Sequence, residues 1–330
     1  MKKIIILLLI CSFVLTGCGS YSKRSIIKDL NNKLDKSTGY KLNGELQVNN
    51  NDENYTYDIE VSYSKKDYYK VILTNKQNDH TQVILKNKDG VYVLTPALNK
   101  SFRFQSDWPY DNSQIYLLNA LVKDIERDKN LEFIKKDNNY VLRTEVKYPN
   151  NSKLVNQKIV LDKDLDFDRV DVYNKNGTIA MSMKFDKISY SPKFSKDEFD
   201  LDKIIDKDEK EEVIESSSLE EIVYPLFLPS NTKLVNEDKI KKENGQRVIM
   251  NYDGDKSFTL VEETADVFSE FMVIPTTGEP YQLMDTLGVM TDNSLSWTSN
   301  GVDYYLISDV MNMDELVEIA ESITGIVSMK

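Results

Sequence analysis

Polar and apolar residues alternate with a period of two through much of the chain after Tyr40. Tyr55, Tyr57, Ile59, Val61 and Tyr63 are interleaved with Thr56, Asp58, Glu60 and Ser62. Successive side chains of an extended chain point to opposite faces, so this run predicts a strand with one buried and one wet face. Leu42, Leu46 and Val48 precede it in the same rhythm, and stretches 68–73, 81–85 and 91–94 continue it. The turns between them, at 49–54, 64–67, 75–79 and Asp89-Gly90, are short and polar. Such connections favour an antiparallel meander. More strands are predicted at 131–134, 140–146, 157–161, 169–173 and 178–185, with Asn176-Gly177 as the hairpin turn between the last two.

Helical spacing interrupts this pattern. Ile26, Ile27, Leu30 and Leu34 form one apolar stripe. Ile115, Leu118, Leu121, Val122 and Ile125 form a second, with Asp111, Asn112 or Ser113 as its cap. Ser195 and Glu198 have the spacing of a capping box ahead of Phe199 and Ile204. Between strands and second helix lie the break Thr95-Pro96-Ala97-Leu98 and an aromatic-rich loop containing Phe102, Phe104, Trp108, Pro109 and Tyr110.

Residues 206–221 read as an acidic linker by composition, with charges that can also support a helix. A second unit, 222–330, opens at Tyr224-Pro225-Leu226-Phe227-Leu228-Pro229, where two prolines exclude a helix. Strands are predicted at 246–252, 257–261, 284–290, 294–298 and 303–307, the last two joined by Asn300-Gly301. A final helix carries Leu316, Val317, Ile319, Ala320 and Ile323. Asn312 and Glu315 form its capping box and Gly325 its stop.

The N-terminus follows another logic. Lys2 and Lys3 precede a run from Ile4 to Leu15 that is apolar except for Ser12. About a dozen residues make a secretory signal, short of the roughly 20 that span a bilayer. Leu15-Thr16-Gly17-Cys18 resembles the lipobox of bacterial lipoproteins. That resemblance implies removal of 1–17, thioether acylation of Cys18, amine acylation as an option, and 18–22 as anchor and spacer. The expected location is the outer face of the cell membrane, where ATP, NAD and chromosomal DNA are not available. Ordinary cleavage before an incidental cysteine is the alternative.

Composition narrows the function. The formal charge is −12 over 330 residues, and losing Lys2 and Lys3 makes the mature chain more acidic still. An acidic surface disfavours nucleic acid, because binding depends on releasing counterions from phosphate. Cys11 leaves with the signal and Cys18 is acylated, so no disulfide and no cysteine metal site is expected. The first helix is basic through Lys23, Arg24, Lys28, Lys33 and Lys36. It reads either as a solvated face or as a surface for anionic headgroups.

A lipobox, a basic amphipathic helix, about ten antiparallel strands and one inserted helix resemble the LolA/LolB-like lipoprotein-carrier fold. The resemblance implies an α+β protein in which 23–205 form a curved antiparallel half-barrel with helices in its concavity. A small α+β domain follows. The whole layout resembles Gram-positive sporulation lipoproteins of the GerS and YdcC kind, and 222–325 resembles an uncharacterised domain appended to membrane-anchored proteins. The implied role is non-enzymatic binding or scaffolding in sporulation or germination, with a cell-envelope partner such as a peptidoglycan amidase. GerS itself lacks the second domain, which sets the amidase role apart from the rest. The alternatives are a lipid or lipopeptide bound in the concavity, and a regulator resembling RseB that touches an anti-sigma factor.

Chemistry is sparse. His80 is the only histidine and sits in a predicted turn, so it cannot form a two-histidine zinc site. Asp162, Asp164, Asp166 and Asp168 alternate, but Phe167 stands where an EF-hand needs glycine and Tyr173 where it needs an acid. They read as an acidic turn, with calcium as the alternative. No cofactor and no catalytic residue are expected. Phe102, Phe104, Trp108 and Tyr110 either pack the inserted helix onto the sheet or line the mouth of the concavity, where a ligand or partner would sit. Intact-mass analysis of membrane-extracted protein is expected to show loss of 1–17 and acyl chains on Cys18, and Cys18→Ser is expected to release the protein from membranes. An uncleaved, unacylated chain would refute the anchor.

Overall fold

The structure, a computed structural model, describes residues 22–50, 53–106, 108–109, 114–148, 151–208, 219 and 221–328. The signal, Cys18, Tyr110, the expected caps Asp111 to Ser113, and most of the linker lie outside these residues. Helix α1 (Lys23–Lys36) leads into β1 (Gly39–Asn50), β2 (Glu53–Ser64), β3 (Tyr68–Asn75), β4 (Thr81–Asn87), β5 (Gly90–Thr95) and β6 (Lys100–Phe104). After α2 (Leu118–Arg127) come β7 (Glu132–Lys136), β8 (Asn139–Glu145), β9 (Leu154–Leu161), β10 (Phe167–Asn174), β11 (Ile179–Tyr190) and α3 (Leu201–Asp208). The second unit contains β12 (Lys233–Lys242), β13 (Gly245–Asp253), β14 (Phe258–Thr264), β15 (Met272–Thr276), β16 (Glu279–Gln282), β17 (Leu287–Met290), β18 (Ser294–Ser299), β19 (Val302–Ile307) and α4 (Met313–Ser328).

The first sheet is open and twelve-stranded, in the order β15-β6-β5-β4-β3-β2-β1-β11-β10-β9-β8-β7. The second has seven strands, β12-β13-β14-β19-β18-β17-β16. The expected LolA-like architecture, an open antiparallel half-barrel with helices against one face, is what the chain forms. Helices α1 and α2 pack on each other and on that face. Ile26 and Leu30 of α1, and Leu118, Leu121, Val122 and Ile125 of α2, are buried against Leu46, Ile59, Val71, Val170 and Met183 of the strands. Each such side chain contributes roughly 1.5–3 kcal/mol on burial. Tyr40 links helix and sheet, since its hydroxyl accepts from Leu118 N at 3.2 Å. At a register shift in the β1–β11 pairing stands Gly44, where an added Cβ would lie 2.1 Å from Lys184 O. A glycine is needed at that close approach.

Several local expectations change. The aromatic loop is partly strand β6. The strand expected at 284–290 starts only at Leu287, as β17, after a turn at 283–286 that follows β16. The second helix starts at Leu118, later than its expected caps. Glu198 does not cap a helix. It accepts from Lys41 and Lys70, both at 2.9 Å, and from Ser62 Oγ at 2.8 Å. These partners outweigh burial and hold its carboxyl at about 2. Helix α3 instead begins after Asp200, whose side chain accepts from Lys203 N. Ile204 of α3 covers a smaller core of Val83, Leu85, Tyr92 and Leu94 on the outer face of the sheet. The capping box at Asn312 and Glu315 forms as expected, with bonds of 3.1 and 2.9 Å.

The second unit's core surrounds α4 and holds a buried acid. Glu262 has no exposed surface, and its Oε2 accepts from Val223 N at 3.1 Å. Burial pushes its carboxyl up to about 7. Between pH 4.5 and about 7 the folded chain therefore keeps a proton that the unfolded chain releases. Stability must fall as pH rises through that window, by about 3 kcal/mol for this one group. Glu262→Gln keeps the acceptor for Val223 N and removes the proton linkage. Chemical denaturation of both proteins from pH 4 to pH 8 is expected to show the variant gaining relative stability with rising pH. Parallel profiles would contradict the assignment.

Candidate functional site

The seam between the two units is the most elaborate polar and apolar junction of the described residues. It starts from β6, whose Lys100 and Ser101 are buried despite being polar. Lys100 Nζ lies 3.1 Å from Asp303 Oδ2 and 4.9 Å from the centre of the Phe102 ring. Thr298 Oγ1 also donates to Asp303. Both charged groups are almost fully shielded. Removing one member of such a pair strands the other and costs about 3–5 kcal/mol.

Around that pair the second unit grips the sheet. Strand β15 runs parallel to β6, from Met272 opposite Lys100 to Thr276 opposite Phe104. Tyr57 OH donates to Met284 O at 2.6 Å, and Gln82 Oε1 accepts from Leu287 N at 2.7 Å. Met284, Leu287 and Val289 enter the main core of the half-barrel. From the loop between β8 and β9, Ser152 N donates to Asp314 Oδ1 at 3.1 Å, and Asn151 Nδ2 to Tyr281 OH at 3.2 Å. The crevice left at the seam is lined by Tyr57, His80, Gln82, Asp285 and Ser299 and has a volume of about 40 Å³. That is space for one or two waters, not for a substrate.

The aromatic cluster divides. Trp108 is 1% exposed and packs edge-on against Tyr69, with ring centres 5.7 Å apart. Phe104 is 3% exposed in the same core. Phe102 is half-buried and packs on the core's margin. Tyr110 is outside the described residues. The concave face thus holds α1, α2, Trp108, Phe104 and three apolar residues of the second unit.

The remaining chemistry-bearing residues do not converge. His80 is half-buried, and burial lowers the affinity of its ring for a proton. Asp162 Oδ1 accepts from Asp164 N and Asp166 N, both at 2.8 Å, so this carboxylate ties its own turn. Asp166 pairs with Lys33 of α1. Among the described residues no three His, Cys, Asp or Glu side chains gather as a metal site. Asp124 of α2 is pushed up to about 6 by burial, with Gln157 Nε2 donating to it at 3.0 Å. The basic residues of α1 are partly spent inside the molecule. Lys23 Nζ donates to Lys129 O and Leu131 O, and Lys33 sits over the Tyr190 ring. No helix among the described residues is long and apolar enough to cross a membrane.

Comparison with known proteins adds the following. Residues 223–323 match a family described as Domain of unknown function (DUF4367). The sporulation protein YdcC of Bacillus subtilis (strain 168) is 36% identical over 329 residues, which cover 98% of this chain and 97% of that protein. Among solved structures, the MucA/MucB complex of Pseudomonas aeruginosa overlaps with a TM-score of 0.33 and 12% identity, covering 88% of this chain and 96% of the matched one. The CwlD amidase of Clostridioides difficile in complex with the GerS lipoprotein overlaps with a TM-score of 0.24 and 17% identity, over 52% of this chain and 97% of the matched one. The Mycobacterium tuberculosis lipoprotein LppX gives 0.34 and 10%, over 53% and 99%. These structural overlaps are likenesses only.

Proposed function

This chain belongs to the family of the Bacillus subtilis sporulation protein YdcC, and from that membership we propose that it is a tethered, extracytoplasmic binding protein serving sporulation without catalysis. The observation that carries the reading is the extent of the match. It covers 98% of this chain and 97% of the relative, so both units and the seam between them fall within it. The Leu15-Thr16-Gly17-Cys18 stretch supports a lipid anchor on Cys18, with the folded chain outside the cell membrane.

The sharper form of the proposal makes the partner a peptidoglycan-processing enzyme, such as an amidase. GerS is a lipoprotein solved in complex with an amidase. The proposal extends that class of partner to this chain through its first unit alone, since GerS lacks the second. A scaffold role also suits the concave face, which is packed with the chain's own helices and with Met284, Leu287 and Val289. A carrier would have to vacate that space for cargo. The partner then meets the outside of the molecule, with half-buried Phe102 and the margin of the seam as the proposed contact region.

The mature chain with Cys18→Ser, used as bait in extracts of sporulating cells, is expected to recover a peptidoglycan-processing enzyme. Deleting the gene is expected to lower the yield of spores that complete germination. Recovery of no such enzyme above a mock bait, together with a wild-type spore yield, would overturn the proposal.

A further inference from the structure

Helix α1 packs one side on the sheet and leaves another to solvent. Ile26 and Leu30 are buried on the inner side. Arg24, Lys28, Asn31 and Asp35 follow the helical repeat along the outer side. Charge along that side runs from basic, next to Ser22, to acidic at Asp35. No acid stands in the first turn. Arg24 and Lys28 are exposed, and neither has an ion-pair or hydrogen-bond partner among the described residues. Lys33, by contrast, is held by Asp166.

The end of α2 adds to the basic end. Lys23 Nζ donates to Lys129 O at 3.2 Å and to Leu131 O at 3.1 Å, so the segment after α2 runs beside the first turn of α1. Arg127 and Lys129 are exposed there. Two of the neighbouring acids are engaged: Glu126 accepts from Asn31 Nδ2, and Asp128 from Glu145 N and Asn130 N. Asp29 is the third, and it is half-buried. Lys23, Arg24, Lys28, Arg127 and Lys129 thus outnumber the acids around the first two turns of α1.

This basic end is also the end to which the anchor leads. Four peptide steps separate Cys18 from Ser22, so Cys18 is at most about 14 Å from the start of α1. The sheet occupies the inner side of α1, which leaves the outer side and the first turn to face a surface held that close. We propose that the outer face of α1, through Arg24 and Lys28 with Arg127 and Lys129 beside them, docks on the anionic phospholipid headgroups of the bilayer to which Cys18 is tied. The length of the tether and the sign of the charge select this occupant. The formal charge of the whole chain is −12, but attraction to a charged surface fades within about 8 Å at physiological ionic strength. Only the groups that the tether holds near the headgroups therefore count. The inference rests on the anchoring reading for the position of the bilayer.

The mature chain, 18–330, carries one thiol, on Cys18. Coupling a single myristoyl chain to it reproduces the tether whether or not cells acylate that residue. One such chain binds bilayers only marginally and reversibly, which lets a second contact register. Partition onto vesicles of phosphatidylcholine with phosphatidylglycerol is expected to exceed that onto phosphatidylcholine alone by about tenfold or more. Arg24→Gln/Lys28→Gln is expected to lower the first about twentyfold, roughly fivefold for each charge lost. The second, and the circular-dichroism melting curve, are expected to stay unchanged. Arg24→Lys is expected to keep the preference. Lys239→Gln/Lys241→Gln, which removes the same charge from exposed positions of β12, is expected to have no effect. Equal partition of the parent onto both vesicles, or equal losses in the two double variants, overturns the inference. So does a vesicle-independent dimer in sedimentation that Arg24→Gln/Lys28→Gln abolishes, since a second copy then covers the face. An unacylated natural chain, read separately by intact mass, would instead overturn the anchor.

Discussion

An open sheet of twelve strands presents a broad apolar face that has to be kept from water, and nothing in an open sheet closes that face by itself. Here the cover comes from three parts of the chain: α1 from before the sheet, the Trp108–α2 crossing from its middle, and Met284, Leu287 and Val289 from a different unit. The third contribution fixes how the two units sit. It is secured by β15 alongside β6 and by Lys100 and Asp303, two charges that are tolerable inside only because each has the other. The second unit therefore supplies part of the first unit's core.

That construction shapes what the protein can do. Membership in the family of a sporulation protein is what the proposed role rests on, and the proposal turns recognition to the outside of the molecule because the concave face is filled by the chain's own side chains. Two of the groups that depart from ordinary ionisation have structural partners. Glu198 is held charged by two lysines and secures the 191–200 segment to the outer face of the sheet, while Glu262 is buried where that unit's first segment joins its core. Neither belongs to a convergent set of acid, base and nucleophile.

Much of the architecture was legible as alternation. The runs around Tyr57, Val71, Ile84 and Val93 became β2 to β5, and the Asn312–Glu315 spacing became a real capping box. What escaped has a common cause, dependence on partners far along the chain. β6 reads as a loop because Lys100 stands on the face it shares with Phe102 and Phe104, where an apolar residue is expected. Lys100 is tolerated there only by Asp303, 203 positions later. β15 pairs with β6 across a similar separation, which no local period encodes. β12 is an edge strand with charges along it, the device that discourages edge-to-edge pairing, and such a strand loses the alternation that would announce it. Trp108 and Phe104 posed the reverse problem. Their side chains suit a core or a binding mouth equally, and only the packing of Tyr69 and α2 around them places both inside.

The account depends on the concave face being occupied by the protein's own side chains. Native mass spectrometry of the mature chain with Cys18→Ser, purified from membranes-containing extracts without detergent, tests this most directly. The account predicts the mass of the polypeptide alone. A lipid retained in stoichiometric amount, and lost on substituting residues of the concave face, would contradict it.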